Sequence, residues 1–323
     1  MAPSIGGRWI DAFTGSCKRG LSEFPRRPIL PAKEGPQPVT TAPFNLIRPD
    51  VPAAPVVVAS PHSGRFYDAG FLRASVLDAA RIRSSEDAYV DLLLDGIPAL
   101  GVPVLSAVMP RAFVDLNRAP EELDPAVVHG VPRGRTTPRI SSGLGVIPRV
   151  VAQGRAIYRG KIGLEEARAR IDTWWRPYHA TLEGLMAEAE GRFGRAILLD
   201  IHSMPHEAIE GAGAPGQEPQ IVLGDRFGAA AAPALMDAAE AVFTDLGLRV
   251  ARNAPFAGAY VTQAYGQPER GRHAIQIEID RALYLDEATT EPGPEFQAVQ
   301  AMMTEAIARF CAQVAPARDL AAE

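Results

Sequence analysis

The sequence predicts an α/β fold in which helices cover both faces of a mainly parallel sheet. Three observations point there. Short β-branched runs alternate with longer helical stretches, the pattern of strand–helix–strand units. The two best runs, Pro55-Val56-Val57-Val58-Ala59 and Ala196-Ile197-Leu198-Leu199, are continuously apolar, as strands buried on both faces are. Each runs straight into polar residues, which is how a buried parallel strand delivers side chains to the carboxyl edge of its sheet.

Residues 1–43 read as a proline-rich N-terminal extension, because Pro25, Pro28, Pro31, Pro36, Pro38 and Pro43 break any regular element there. One folded domain is expected over 44–323. Its first buried strand is Pro55 to Ser60, bounded by proline. A helix is expected to open near Ser84 or Ser85, with Glu86 and Asp87 in its first turn, and to stop at Gly101. Val102 to Val108 is the next strand, and Ala112 to Leu116 a short one ending at Asn117-Arg118. Leu164 to Arg192 is helical, bent near Pro177 and ended by Gly191 and Gly194. Ala196 to Ile201 is the clearest strand and Gln220 to Leu223 another, followed by an alanine-rich helix from Gly228 to Leu246. His273 to Ile279 makes a late strand. The last helix runs to Val314 from Pro294, which suits a first helical position.

A chain of 323 residues with 47% hydrophobic and 22% charged residues can bury a sizeable core. Its net charge of −5 offers no general attraction to nucleic acid or to an anionic membrane. Cys17 and Cys311 are the only cysteines, which excludes a disulfide framework and a cysteine zinc site and fits a reducing compartment. No apolar run reaches the length of a membrane span. The first stretch carries Arg8, Asp11, Lys18 and Arg19 without an apolar segment, so no secretory signal is read and a cytoplasmic protein is expected.

The chemistry sits in three short stretches. His62 lies in Pro61-His62-Ser63-Gly64 after one buried strand, and His202 lies in Asp200-Ile201-His202-Ser203 at the end of another. Two imidazoles and one carboxylate from Ser85-Glu86-Asp87 form the ligand set of a catalytic zinc with an open fourth position. Glu86 and Asp87 are adjacent and point differently, so one is expected to bind the metal and the other to charge a helix start. Asp200 shares a strand face with His202 and is placed to orient its imidazole. His206 stands four residues beyond His202, yet Pro205 disfavours a helix through both, so His206 reads as a loop residue. His129, His179 and His273 have no ligand-like context. Glu278, flanked by Ile277 and Ile279, is a carboxylate in a buried strand; burial raises its pKa and suits it to be a general base. The competing reading is a salt-bridged structural acid. Arg111, Asn117 and Arg118 cluster around a short strand, and arginine grips carboxylates bidentately. No phosphate loop, dinucleotide fingerprint or nucleophile elbow occurs. The residues read as a metal-dependent hydrolase.

Pro61-His62-Ser63-Gly64, Ser85-Glu86-Asp87-Ala88-Tyr89-Val90-Asp91, Arg111-Ala112-Phe113-Val114-Asp115-Leu116-Asn117-Arg118, Asp200-Ile201-His202-Ser203-Met204-Pro205 and Gln276-Ile277-Glu278 follow one another in that order. Together they resemble the N-formylglutamate amidohydrolase (N-formylglutamate deformylase) family over residues 44–290. The resemblance implies a phosphorylase/hydrolase-like three-layer α/β/α sandwich with a mainly parallel mixed sheet, akin to the zinc carboxypeptidases. It implies one zinc ion held by His62, His202 and an acidic residue, which Asp87 matches best and Glu86 next. Glu278 would then activate water, Arg111 would stabilise the oxyanion, and Asn117-Arg118 would hold a substrate carboxylate. The implied reaction is release of formate from N-formyl-L-glutamate, the last step of one histidine-degradation route. The substrate is small, and the enzyme a monomer or small homo-oligomer.

One stretch departs from the family pattern. Members carry Gly-Gly-Tyr-Ile-Thr-Arg-His-Tyr-Gly where this chain has Gly258-Ala259-Tyr260-Val261-Thr262-Gln263-Ala264-Tyr265-Gly266. Tyr260 and Gln263 are expected at the substrate, but Gln263-Ala264 has lost the cation that would grip a side-chain carboxylate. Preference for glutamate should weaken unless another base, such as Arg270 or Arg272, takes over. The alternatives are a deacylase or carboxypeptidase-like enzyme for another N-acyl amino acid, or a metal-binding protein without turnover. Glu278 speaks against the last, since a binding protein has no need of a buried base. The proline-rich extension also lies outside the family pattern.

Overall fold

The computed structural model describes residues 42–132, 137–212 and 216–315. The proline-rich segment 1–43 lies outside the described residues apart from its last two positions. A seven-stranded sheet is built from β1 (Phe44–Ile47), β2 (Val56–Ser60), β3 (Val104–Ala107), β4 (Ala196–Met204), β5 (Ile221–Gly224), β6 (Val250–Arg252) and β7 (Arg272–Asp280). Their order across the sheet is β1-β3-β2-β4-β7-β5-β6. β3, β2, β4 and β7 run parallel. β1 lies antiparallel on β3, while β5 lies antiparallel on β7 and parallel to β6. The sheet is therefore mixed with a parallel centre, as the continuous apolar runs predict.

The supporting helices are α1 (Leu164–Arg170), α2 (Arg176–Phe193), α3 (Pro233–Asp245), α4 (Tyr260–Tyr265) and α5 (Phe296–Val314). On one face Tyr178, Leu182 and Met186 of α2, with Val261 and Tyr265 of α4, pack on Val57, Ala59, Leu198 and Ala274. On the other, Ala239, Val242 and Phe243 of α3 and Ala306, Ile307 and Phe310 of α5 meet Leu199 and Ile277. Adjacent strand residues thus enter opposite cores, which is why β4 and β7 are apolar at nearly every position. Burying one such Leu or Ile side chain contributes about 1.5–3 kcal/mol. Among the described residues no helix is long and apolar enough to cross a membrane.

Two expected elements form differently. The helix foreseen from Ser84 to Leu100 is broken into a 3-10 turn at Arg81–Ser85, a short helix at Val90–Leu93 and a second 3-10 turn at Ile97–Leu100. Glu86 is extended and Tyr89 takes a left-handed φ of 60°. The reason is that the Asp87 N–H donates to the His62 carbonyl at 3.1 Å, fastening this segment to the turn after β2 instead of to a helical ladder. The strand foreseen at Ala112 to Leu116 is a loop, because the Asp115 side chain accepts the Asn117 N–H at 2.8 Å and competes with any ladder. The bend in the long helix is a π turn at Ile171–Trp175 between α1 and α2, and it aims the Trp175 Nε1–H at the Arg118 carbonyl, 2.9 Å away. α3 begins only at Pro233, because Arg226, Phe227 and Gly228 all hold positive φ.

His179 of α2 locks this face to the loop before the site. Its Nε2–H donates to the Leu116 carbonyl at 2.8 Å, so Nδ1 is the acceptor and takes the Tyr265 hydroxyl at 2.9 Å. Burial lowers its pKa to about 4 against an ordinary 6.5. Between those values the unfolded chain holds the proton and the folded one does not, so stability rises with pH across that window and is lost as pH falls through it. Denaturant titrations at a series of pH values should show this loss, up to ~3 kcal/mol from this group. The slope should flatten in His179→Gln, and equal slopes for the two proteins would contradict the assignment.

Candidate active site

β2, β3, β4 and β7 end at one edge of the sheet, and β2 is where the chain order turns back, with β3 on one side and β4 on the other. Such switch points open a crevice at the carboxyl edge. His62 stands just past β2, held by a turn that passes so close to Met109 that a Cβ on Gly64 would lie 2.0 Å from the Met109 carbonyl oxygen. Only glycine fits there. His202 and Glu278 are direct partners in the β4–β7 register. The loop after β3 brings Arg111, Asp115, Asn117 and Arg118 to the same edge.

His62, Asp87 and His202 come together, each almost wholly buried, with one donor atom apiece within 4.8 Å of the others. Asp87 Oδ2 lies 2.9 Å from Nδ1 of His202 and 3.6 Å from Nδ1 of His62. Asp87 Oδ1 accepts the Arg281 guanidinium at 3.1 Å, and Arg281 also donates to the Ser203 hydroxyl at 3.1 Å. Behind the cluster, His62 Nε2 donates to Asp115 Oδ1 at 2.7 Å, and Asp115 Oδ2 accepts Arg111 at 3.0 Å. Asp200 Oδ2 sits 3.1 Å from Nε2 of His202. Asp115 thus supports one imidazole and Asp200 the other, the arrangement that sets tautomer and orientation in metal sites.

The charges follow from this packing. Burial works against the Asp87 carboxylate, but the hydrogen bond from His202 holds its pKa well below the usual range. Burial likewise opposes the His202 cation, and Asp200 and Asp87 outweigh it, so its pKa stands well above the ordinary value. Glu278 differs. Burial, with the Asp87 charge adding to it, raises its pKa to about 7 against the pull of His202, Arg111 and Arg281. Its Oε1 accepts the Gln276 amide at 2.8 Å.

The donor set fits a divalent metal. With Nε2 of His62 committed to Asp115, its Nδ1 is left as a buried lone pair with no hydrogen-bond partner. That bare nitrogen faces Asp87 and His202, and two imidazoles with one carboxylate are the protein ligands of catalytic zinc.

A profile of the N-formylglutamate amidohydrolase family matches residues 54–285. The chain belongs to the N-formylglutamate amidohydrolase family. It is 32% identical to an N-formylglutamate deformylase of Pseudomonas aeruginosa over 241 residues, covering 72% of this chain and 83% of that protein. It is 30% identical to one of Pseudomonas putida over 246 residues, covering 74% and 84%. The crystal structure of N-formylglutamate amidohydrolase from Ralstonia eutropha JMP134 superposes with a TM-score of 0.79 at 36% identity, covering 84% of this chain and 98% of that one. A protein of Agrobacterium tumefaciens, 15% identical with a TM-score of 0.58, shares the fold alone. The chain is an amide hydrolase of the α/β sandwich class.

Within that family frame, the other residues singled out from the sequence are placed at varying distance from the cluster. Glu86 is turned away from the cluster, accepting Arg83 at 3.1 and 3.2 Å and the Tyr67 hydroxyl at 3.0 Å. Asn117 is spent on the protein: its Nδ2 lies 3.2 Å from Nε2 of His202 and its Oδ1 accepts the Val261 N–H at 2.8 Å. Arg118 donates to the carbonyls of Leu144 at 2.8 Å and Asn117 at 2.7 Å, and pairs with no carboxylate among the described residues. Tyr260 is half-buried beside Trp175, ring centroids 5.7 Å apart, whereas Gln263 is exposed and Ala264 packs against the core. His206 turns to Asp280, 2.9 Å away. Arg270 is exposed and bonds Gln267, while Arg272 is tied to Glu183 and Glu190. Neither replaces the cation missing at position 263. Asp115 and Arg281 carry roles the sequence reading did not assign. Asp115 stands two residues before Asn117 inside a quoted motif, a spacing that could have flagged it; nothing in the sequence around Arg281 signals contact with Asp87.

Proposed function

We propose that this protein is a zinc-dependent amidohydrolase that cleaves the formyl amide of N-formyl-L-glutamate to L-glutamate and formate. The observation that carries the reading is a three-donor cluster of His62, Asp87 and His202 with the raised-pKa carboxylate of Glu278 register-paired beside it. A zinc ion held by the three residues would supply Lewis acidity toward the amide carbonyl and toward water. Glu278, whose carboxylate burial makes more basic, takes a proton from the attacking water and returns it to the departing amine nitrogen. Arg111, fixed by Asp115, presents a guanidinium to the oxygen on which negative charge develops. Arg118 keeps donor capacity for the substrate's α-carboxylate, while Asn117 positions His202 and the start of α4. The reading carries with it a cytoplasmic enzyme at the end of histidine degradation, as the family resemblance implies.

A hydrolysis screen of N-formyl and N-acetyl amino acids with the zinc-loaded protein tests the proposal, and absence of formate release from every N-formyl compound would end it. Among variants, His202→Ala should lose both metal and turnover, and Asp115→Asn should weaken zinc retention about 10–100-fold in a chelator competition. Stoichiometric zinc in His202→Ala would refute the ligand set. Glu278→Gln should keep its zinc and lose about 10²–10⁴-fold in kcat; near-normal turnover would move the base to another group. Arg118→Lys should raise KM although charge is retained, because lysine lacks the planar fork. If the α-amide of the substrate served the wild type equally well, Arg118 would have no carboxylate to hold.

A further inference from the structure

The geometry points to Arg139 as the cation that binds the substrate's second, side-chain carboxylate, in place of the arginine that other family members carry at position 263. Arg139 lies on the short helical turn Pro138–Ser141, capped by the Thr137 hydroxyl. Its main-chain carbonyl accepts the Leu144 N–H at 2.9 Å, and the Leu144 carbonyl accepts Nε of Arg118 at 2.8 Å. The two arginines thus hang on one loop. From there the Arg139 side chain reaches the Gly258 carbonyl at 3.4 Å. Gly258 opens the segment that carries the Gln263-Ala264 departure, and three residues on, the Val261 N–H is fastened to Asn117. It holds a φ of 110°, where a Cβ would come within 2.4 Å of Thr262 Oγ1, so the approach of Arg139 is to bare backbone.

Arg139 is half-buried, its bond to Gly258 is long, and among the described residues neither it nor Arg118 pairs with a carboxylate. Burial lowers the Arg118 pKa; Asp115 and, more weakly, Glu122 oppose this, and the charges of Arg111 and Arg139 add to it. Two guanidinium groups that repel one another in partial burial, neither in an ion pair among the described residues, form a site completed by a ligand bearing two carboxylates. N-formylglutamate is such a ligand, one carboxylate for each arginine. Here the inference rests on the amidohydrolase reading. Arg226 flanks Gly258 from the other side, its Cγ 3.1 Å from where a Cβ on that glycine would stand. No hydrogen bond among the described residues joins it to the Arg118 loop, and it makes the natural control.

The test compares kcat/KM for N-formylglutamate and N-formylglutamine in the wild type, Arg139→Gln, Arg139→Lys and Arg226→Gln. The wild type should favour the glutamate compound. That preference ratio should fall about 10–100-fold in Arg139→Gln, the loss expected of a charge-assisted hydrogen bond, be partly restored in Arg139→Lys, and persist in Arg226→Gln. Calorimetric binding of glutarate and butyrate to the same proteins gives an arm that needs no turnover: the wild-type advantage of glutarate should vanish in Arg139→Gln. If no N-formyl amino acid is hydrolysed, the amidohydrolase proposal fails while the glutarate arm still decides on Arg139. A wild type indifferent to the second carboxylate, an Arg139→Gln ratio equal to wild type, or a ratio lost in Arg226→Gln instead would each overturn the assignment.

Discussion

A carboxylate taken out of water, that of Asp87, is the constraint around which this molecule is arranged. Only 1% of the residue is exposed, and an ionised acid so buried is costly unless charges and hydrogen bonds replace its hydration. Two groups do so, the imidazole of His202 and the Arg281 guanidinium, with the His62 ring standing beside them. Each of these must itself be held. His62 leans on Asp115, Asp115 on Arg111, His202 on Asp200 and Asn117, and Arg281 on Ser203. The result is a connected polar network with alternating charge, set between two apolar layers. Removing one member leaves a neighbour buried without a partner, so substitutions within the network should have non-additive effects.

Much of this was legible in the chain, for a physical reason. A strand buried on both faces must be apolar at successive positions, so β2, β4 and β7 announce themselves, and the polar residues interrupting them at His62, His202 and Glu278 stand out. The edges were not legible. β1 and β6 are short and partly exposed, so their residues face no strict demand. The segment from Ser84 to Leu100 read as one helix, but one long-range hydrogen bond from Asp87 to the His62 carbonyl overrode it. The same holds for Asn117. Its type and place beside Arg118 suggested a ligand contact, and only the fold shows its amide oxygen already engaged by the Val261 N–H. Choosing between Glu86 and Asp87 lay likewise beyond local sequence, since Arg83, three residues before Glu86, claims one of two otherwise equal acids.

On the Arg139 proposal, position 263 illustrates how a site can change its residues without changing its chemistry. α4 exposes Gln263 to solvent and packs Ala264 against the core, so neither position is tied to the cluster of His62, Asp87 and His202. What ties α4 to the site is its first turn, where Val261 is bonded to Asn117 and the preceding Gly258 meets Arg139. A guanidinium needs only to reach a given point in the crevice. A neighbouring loop can deliver it as well as the helix can, because a long flexible side chain decouples the charge from its Cα. Resemblance of motifs therefore fixes the His62, Asp87 and His202 centre of such a site more tightly than its rim.

The centre is rigid because of sheet register. His202 and Glu278 are partners on adjacent parallel strands, and Asp200 pairs with Gln276 one step down the same face. A slip of one residue between β4 and β7 would set Ile277 or Ile279 beside His202 and drive Glu278 into the core under α3 and α5. That slip is opposed along the whole strand, since Leu199 and Ile277 would leave their apolar pocket at the same time. The apolar alternation that buries β7 thus also sets where its carboxylate stands. Raising the Glu278 pKa to about 7 follows from that placement: the strand that positions the base is the one that dehydrates it.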